Sequence, residues 1–184
     1  MRKIILYIAG SLDGKIADAE GGVDWLHRIP NPDESDYGYA GFIKTIDTTL
    51  MGNKTYRQVL GFDVEFPYKQ TENYVITRNE SLVKDEYVRY ISKHAAAFIR
   101  DLKNKPGKDI WCIGGGGIIA FLIDHDLLDE IRMFIMPVVL GAGIPLTARL
   151  RDQCALKLTD TVSYKSGVVE LRYTIRHEKG SAQN

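Results

Sequence analysis

Residues 3–9 run through Ile4, Ile5, Leu6, Tyr7, Ile8 and Ala9 with hardly a polar break, as a strand covered on both faces does. A glycine-punctuated stretch follows to about residue 22. Over 36–46, Tyr39, Phe42, Ile43 and Ile46 recur at helical spacing behind Asp36, which suits a cap. Thr48 to Met51 predicts a short strand closed by Gly52, and a helical turn continues through 55–60. Strands are expected at 74–77 and 87–91, then a helix over 94–103 that stops before Pro106-Gly107. Asp109 to Ile113 is another strand, and it runs straight into four glycines. A helix over 118–127, a long apolar strand over 130–140 and a hairpin of 156–164 with 168–177 about Lys165-Ser166-Gly167 complete the chain.

Strands and helices thus alternate first, and an antiparallel pair comes last. That order predicts a three-layer α/β domain over 1–177 on a mixed, mostly parallel sheet with a C-terminal antiparallel hairpin; residues 178–184 read as a disordered tail. At 184 residues a second domain would leave each half poorly buried. Lys and Arg number 24 against 24 Asp and Glu, so no global positive field exists to hold a polyanion; neither nucleic acid nor a membrane surface is expected as partner. The apolar run after Met1-Arg2-Lys3 stops at Gly10 with no small-residue cleavage pattern, which reads as a first strand of a cytoplasmic chain. Two cysteines cannot form a disulfide framework, and His27, His94, His125 and His177 lack metal-ligand spacing, so no metal is expected.

Four stretches can carry chemistry. Ile113-Gly114-Gly115-Gly116-Gly117-Ile118 joins a buried strand to a helix, where absent side chains let a ligand reach backbone N–H groups and the positive end of the helix. A plain turn needs one or two glycines; four cost conformational entropy, which favours anion binding there. The run lies past mid-chain with no Gly-Lys-Ser/Thr, so it is neither the usual dinucleotide fingerprint nor a P-loop. Met51-Gly52-Asn53-Lys54-Thr55-Tyr56 repeats the strand–glycine–helix layout with a cation and a hydroxyl suited to phosphate. Thr77-Arg78-Asn79 follows the strand at 74–76, at a strand end where open α/β sheets bind ligands. The fourth, Ala9-Gly10-Ser11-Leu12-Asp13-Gly14-Lys15-Ile16-Ala17 leading to Asp24-Trp25-Leu26, could wall a flat ring and exclude water. No Gly-x-Ser-x-Gly elbow is present, which argues against a serine hydrolase.

Ser-Leu-Asp-Gly-Lys-Ile-Ala (11–17), Asp-Trp-Leu (24–26), Met-Gly-Asn-Lys-Thr-Tyr (51–56), Val-Ile-Thr-Arg (75–78) and Ile-Gly-Gly-Gly-Gly (113–117), in that order, resemble the dihydrofolate reductase-like family. The branch most similar is the C-terminal reductase domain of bifunctional riboflavin-biosynthesis deaminase–reductases; Val138 to Leu146 is like a loop typical of it, and the match spans about 2–176. The resemblance implies a three-layer α/β/α dihydrofolate reductase-like fold and an NADPH-dependent reductase, with NADH as an alternative cofactor, acting on a pterin- or pyrimidine-like heterocycle. It places Ala9 and Ile16 at the nicotinamide, and Gly52, Asn53, Lys54 and Thr55 at the adenosine-side phosphates. Thr77 and Arg78 fall at the adenosine ribose phosphate, and Gly115, Gly116, Gly117 and Ile118 at the diphosphate. A cis Gly-Gly bond within Gly114–Gly116 is implied as well.

Asn53 stands where relatives usually carry Arg, so NADPH over NADH becomes a preference. The catalytic candidates are Asp13, Trp25 and Asp36; Asp33 and Glu34 share the acidic segment, and a solvated acidic stretch or a helix cap is the competing reading there. The proton could come from Asp13, from an acid at 33–36 or from water. Trp25 reads as site wall or core, Trp111 and Cys112 as core. Against the riboflavin pattern, the chain lacks a Trp-Ile-Thr-Gly segment, an arginine-rich helix and a zinc deaminase domain. Reduction of 5-amino-6-(5-phosphoribosylamino)uracil and a non-catalytic nucleotide-binding module are the alternative functions. A homodimer is expected, paired through the 131–140 strand and the closing hairpin.

Overall fold

A computed structural model describes residues 1–176; the expected tail at 178–184 lies outside the described residues. In chain order the first half contains β1 (Ile4–Ser11), β2 (Lys15–Ala17), α1 (Tyr39–Ile43), β3 (Ile46–Gly52), α2 (Asn53–Leu60), β4 (Glu72–Ile76) and β5 (Arg89–Ile91). The second contains α3 (Ala95–Asn104), β6 (Asp109–Gly114), α4 (Gly116–Asp124), β7 (Glu130–Met136), β8 (Ile144–Pro145), β9 (Leu156–Ser163) and β10 (Val169–Ile175). A 3-10 turn covers Asp24–Arg28.

Eight strands form one sheet in the order β5-β4-β3-β6-β1-β7-β10-β9. Every pair from β5 to β7 is parallel, and β10 runs antiparallel to both β7 and β9. Alternation along β1 sends Ile4 and Leu6 to one face, where they join Leu50, Cys112, Ile99, Leu102, Ile119 and Leu122 under α3 and α4. Ile5 points to the other face and packs with Phe42 of α1 and Trp111. Met51, Tyr56 and Val59 seat α2 on that same side. Two helical layers therefore cover one sheet, as the alternation of elements predicts. No helix among the described residues is long and apolar enough to cross a membrane.

Three local differences from the sequence reading have physical causes. The helix expected over 36–46 is confined to α1 (Tyr39–Ile43), because Tyr37 and Gly38 take positive φ of 53° and 81° and so bar a right-handed turn before residue 39. Ile46 is already in β3, and its 4% exposure explains why it matched the helical stripe. The strand expected over 130–140 ends at Met136, since Pro137 has no N–H to continue a ladder. That strand is also interior, between β1 and β10, so the exposed edge at this end of the sheet is β9. Finally, the loop after β1 holds the short strand β2, which pairs antiparallel with β8 as a second two-stranded sheet. Pairs this short leave no periodic signal in sequence.

Candidate functional site

Parallel strands deliver their C-terminal ends to one side of the sheet, and there the chain breaks into glycine twice on neighbouring strands. Gly52 ends β3 and is the extended N-cap of α2; Gly115 follows β6 and is the extended N-cap of α4. Neither helix has a side-chain hydrogen bond at its cap, so their first N–H groups and positive dipole ends are open to a ligand. The register aligns Met51 with Gly114, which brings the two turns together. A Cβ built on Gly115 would stand 3.3 Å from Thr55 Oγ1 and 3.9 Å from Ile16 Cδ1; one on Gly52 would stand 3.2 Å from Ile118 Cγ1. The Gly114–Gly115 peptide is cis, within the span the resemblance implies. Gly117 faces open space, while Gly116 is packed against the backbone of Pro145, Leu146 and Ala148.

Gly52, Thr55, Gly115, Ile16 and Ile118 thus share one cradle. Gly52 is in register with Ile76, so Thr77 and Arg78 emerge beside it at the end of β4. Lys54 and Arg78 are exposed, and among the described residues neither side chain has an ion-pair partner. Asn53 opens α2, and its Oδ1 is buried without a hydrogen-bond partner. Trp25 Nε1 is the other such atom among the described residues. Its indole packs with Phe134, Met136 and Val168, beside Ala9 and Tyr7. A buried donor or acceptor left unpaired costs about 1–3 kcal/mol, so these two atoms carry bonding capacity that no group among the described residues meets.

Next to the cradle lies an aromatic wall that sequence reading missed. Tyr7 stacks on Phe42 at 4.4 Å between centroids and lies 4.6 Å from Phe134, with Tyr39 and Trp111 edge-on at 6.2 Å each. Its hydroxyl donates to the Tyr37 carbonyl at 3.1 Å. Burial, followed by the nearby Glu170 carboxylate, raises the Tyr7 phenol well above its ordinary value, so it stays a donor. Glu170 is 1% exposed and accepts from Arg172 at 2.7 and 3.0 Å and from the Tyr164 hydroxyl at 3.2 Å. The available signal was a tyrosine inside an otherwise aliphatic strand, facing the side away from Ile4 and Leu6.

The acidic candidates are spent on backbone. Asp36 accepts from the N–H groups of Gly38 at 2.9 Å and Ala40 at 2.8 Å; these bonds, Ala40's foremost, lower its carboxyl below the usual range. It closes the turn that leads into α1, whose own N-cap is Gly38 rather than the expected Asp36. Asp13 accepts from the Ser11 hydroxyl at 2.7 Å and from the N–H groups of Leu140 at 3.0 Å and Gly141 at 2.9 Å. The Ser11 bond first, then the backbone bonds, hold its carboxyl down to about 2. Asp33 pairs with Lys165 at 3.1 Å on the surface. Cys112 is fully buried and burial pushes its thiol up to about 12, while Trp111, 6% exposed, lies in the core.

The opposite end of the sheet carries two clefts, of about 680 Å³ and 210 Å³, near Arg2, Glu72, Asn73 and Arg89. Their buried polar groups are already paired within the chain, which marks them as structural. Among the described residues no group of three His, Cys, Asp or Glu assembles as a metal site.

Comparison with known proteins follows the same lines. The sequence profile of the RibD C-terminal domain matches residues 2–170. The chain belongs to the RibD C-terminal domain family. This RibD-type chain is 39% identical over 172 residues to the uncharacterized protein YwjB of Bacillus subtilis (strain 168), covering 94% of this chain and 97% of that one. Among solved structures it is similar to a protein of Shewanella sp. PV-4 ascribed to riboflavin biosynthesis, with a TM-score of 0.85, 31% identity, and 95% and 99% of the two chains covered. A dihydrofolate reductase of Enterococcus faecalis complexed with NADP(H) superposes with a TM-score of 0.68 at 16% identity over 95% of this chain and 97% of that one. At that identity the likeness establishes the fold: a dihydrofolate reductase-like sheet with its antiparallel end.

Proposed function

We propose that this chain is an NADPH-dependent reductase of a flat pterin- or pyrimidine-like heterocycle. The observation that carries the reading is the meeting of two uncapped helix N-termini at Gly52 and Gly115, with glycine in place of side chains where a diphosphate would rest. Lys54, Thr55, Thr77 and Arg78 suit the adenosine-side phosphates, and Ala9, Ile16 and Trp25 suit the reactive ring. The unpaired cations Lys54 and Arg78 favour NADPH, and NADH is the weaker ligand.

Bound there, the nicotinamide would supply the hydride. The chain's own part is to hold two rings face to face and keep water from the gap. With Asp13 and Asp36 engaged by backbone N–H groups, the accompanying proton comes from water rather than from either carboxyl. The unpaired Trp25 Nε1 is the donor available to a ring carbonyl, since the Tyr7 hydroxyl already donates to the Tyr37 carbonyl. Family membership favours the riboflavin-type reaction, reduction of the ribosylaminouracil phosphate to its ribitylamino product, as a second reading.

Titrating purified protein with NADPH and following energy transfer from tryptophan tests the cofactor. Saturable transfer at micromolar concentration is expected, and none at millimolar eliminates both enzyme readings. Turnover with dihydrofolate and with the ribosylaminouracil phosphate then separates the two substrates; binding without turnover of either favours a nucleotide-binding module. A homodimer is proposed through β9, the edge strand, where Leu156 and Leu158 are 41% and 50% exposed. A monomeric mass by light scattering at micromolar concentration would remove it.

A further inference from the structure

The loop after β1 and the loop after β7 are clasped together, and the clasp rests on the glycine turn. Leu12 N–H donates to the Val138 carbonyl at 2.8 Å, and Leu146 N–H donates to the Gly14 carbonyl at 2.9 Å. Between those two bonds lie the β2–β8 pairing, the close approach of Gly143 to the Ala17 carbonyl, and the three bonds accepted by Asp13. From there the contact reaches α4, since Ala148 N–H donates to the Gly116 carbonyl at 3.0 Å. Gln58 of α2 closes the other side through Nε2 to the Gly21 carbonyl at 2.7 Å.

Within this clasp the stretch 139–142 is held by Leu140, which packs against the Trp25 cluster, and by the bonds to Asp13. Val139 is 65% exposed, and Gly141 sits at a φ of 72° that presents its N–H to Asp13. The Asp13 carboxylate hydrogen-bonds across the two loops here, and Ser11 fixes it by donating to Oδ1 while accepting the Lys15 N–H at 2.9 Å. Three residues on from Asp13, Ile16 reaches the Gly115 side of the cradle.

We infer that Asp13 is a positioning residue, a latch that ties residues 140–141 to the loop after β1 and so holds Ile16 and the glycine turn in their binding geometry. The inference rests on the cradle being the cofactor site. It replaces a role in proton transfer with one in order: the loops are arranged before the ligand arrives, and less freedom is lost on binding. The low titration of the carboxyl agrees, because an acceptor of three hydrogen bonds keeps its charge throughout the working pH range.

The test compares the full chain with Asp13→Ala, which removes every bond, and Asp13→Asn, which keeps one acceptor oxygen. NADPH affinity and release are read by tryptophan energy transfer in stopped flow, the cofactor-free melting midpoint by calorimetry, and loop order by the rate of tryptic cleavage after Lys15. NADPH is expected to bind about tenfold more weakly to Asp13→Ala and about threefold more weakly to Asp13→Asn, mostly through faster release. Cleavage after Lys15 should quicken in the same order, with only a small fall in the melting midpoint. Affinity and release within twofold of the parent in both variants would overturn the latch, as would losses that follow a falling midpoint with no difference between Asn and Ala. A parent chain that shows no transfer at all overturns the cofactor reading instead, and with it this role.

Discussion

The two ends of the sheet are built from similar polar residues and treat them in opposite ways. At the N-terminal ends of the strands, Lys103 is 4% exposed and donates to the Leu127 carbonyl at 2.9 Å and to Asp129 Oδ2 at 2.6 Å, while the same oxygen accepts Ile4 N–H at 2.7 Å. Asn73 is equally satisfied: its amide nitrogen reaches the carbonyls of Tyr68, Thr71 and Tyr87 at 3.0–3.1 Å, and its oxygen accepts from Thr49 at 2.6 Å. Arg2 is paired with Asp47 and Thr48. At the C-terminal ends, Asn53 and Trp25 each bury an unpaired atom, two helices start without caps, and Lys54 and Arg78 face solvent without a partner among the described residues. The clefts by Arg2 and Arg89 lie at the satisfied end and the unmet bonding capacity at the other. Unpaired donors and acceptors, rather than volume, support the proposed cofactor site.

That contrast can be broken from either side. Lys103→Met should strip the satisfied end of a buried charge partner and cost about 2–3 kcal/mol, below the roughly 3–5 kcal/mol of a fully buried pair because Asp129 keeps 23% side-chain exposure. For a chain of this length, calorimetry should then show a midpoint lower by roughly 5–10 °C, with NADPH affinity unchanged. Gly117→Asp should do the converse. Its side chain enters open space, so the midpoint holds, while a carboxylate at the helix N-terminus repels the diphosphate and weakens NADPH about thirtyfold to a hundredfold in fluorescence titration. Lys54→Ala should raise the NADPH dissociation constant about tenfold, the worth of one charge-assisted bond, again without thermal penalty. Trp25→Phe, which keeps an aromatic ring and removes the unpaired N–H, should change stability by less than about 1 kcal/mol and lower turnover. The smallest effect is one of pH. Asp13 has its carboxyl held at about 2, below the ordinary 3.8, so its latch is fully present above the ordinary value and is lost as pH falls through the lower one. The amide shifts of Leu140 and Gly141 should therefore hold steady from pH 7 to about 4 and move only below that.

Long periodic elements were legible because burial writes itself into residue spacing. The two-faced apolar run of β1, the strand–glycine–helix turns at 52 and 115 and the closing hairpin all appear in the structure near their expected places. Local backbone chemistry defeated the pattern elsewhere. Ile46 keeps helical spacing with Phe42 yet begins a strand, and the apolar character of Val138 to Leu140 belongs to a loop that closes on Asp13 instead of extending β7. The two glycine turns were readable because glycine at a helix start has few uses. The aromatic wall at Tyr7 was not, since residues from β1, α1, β6 and β7 meet there only through the crossovers of a parallel sheet. For the same reason Asp13 read as a catalytic acid: its partners lie 127 and 128 residues away along the chain.

A crystal structure of the chain soaked with NADPH tests the central claim most directly. Diphosphate density is expected against the N–H groups of Gly115 to Gly117 beside Ile118, the adenosine phosphate near Lys54 and Arg78, and the nicotinamide between Ala9 and Ile16. Cofactor density in the cleft by Arg2 and Arg89, with the glycine turns unchanged and bare, would contradict it.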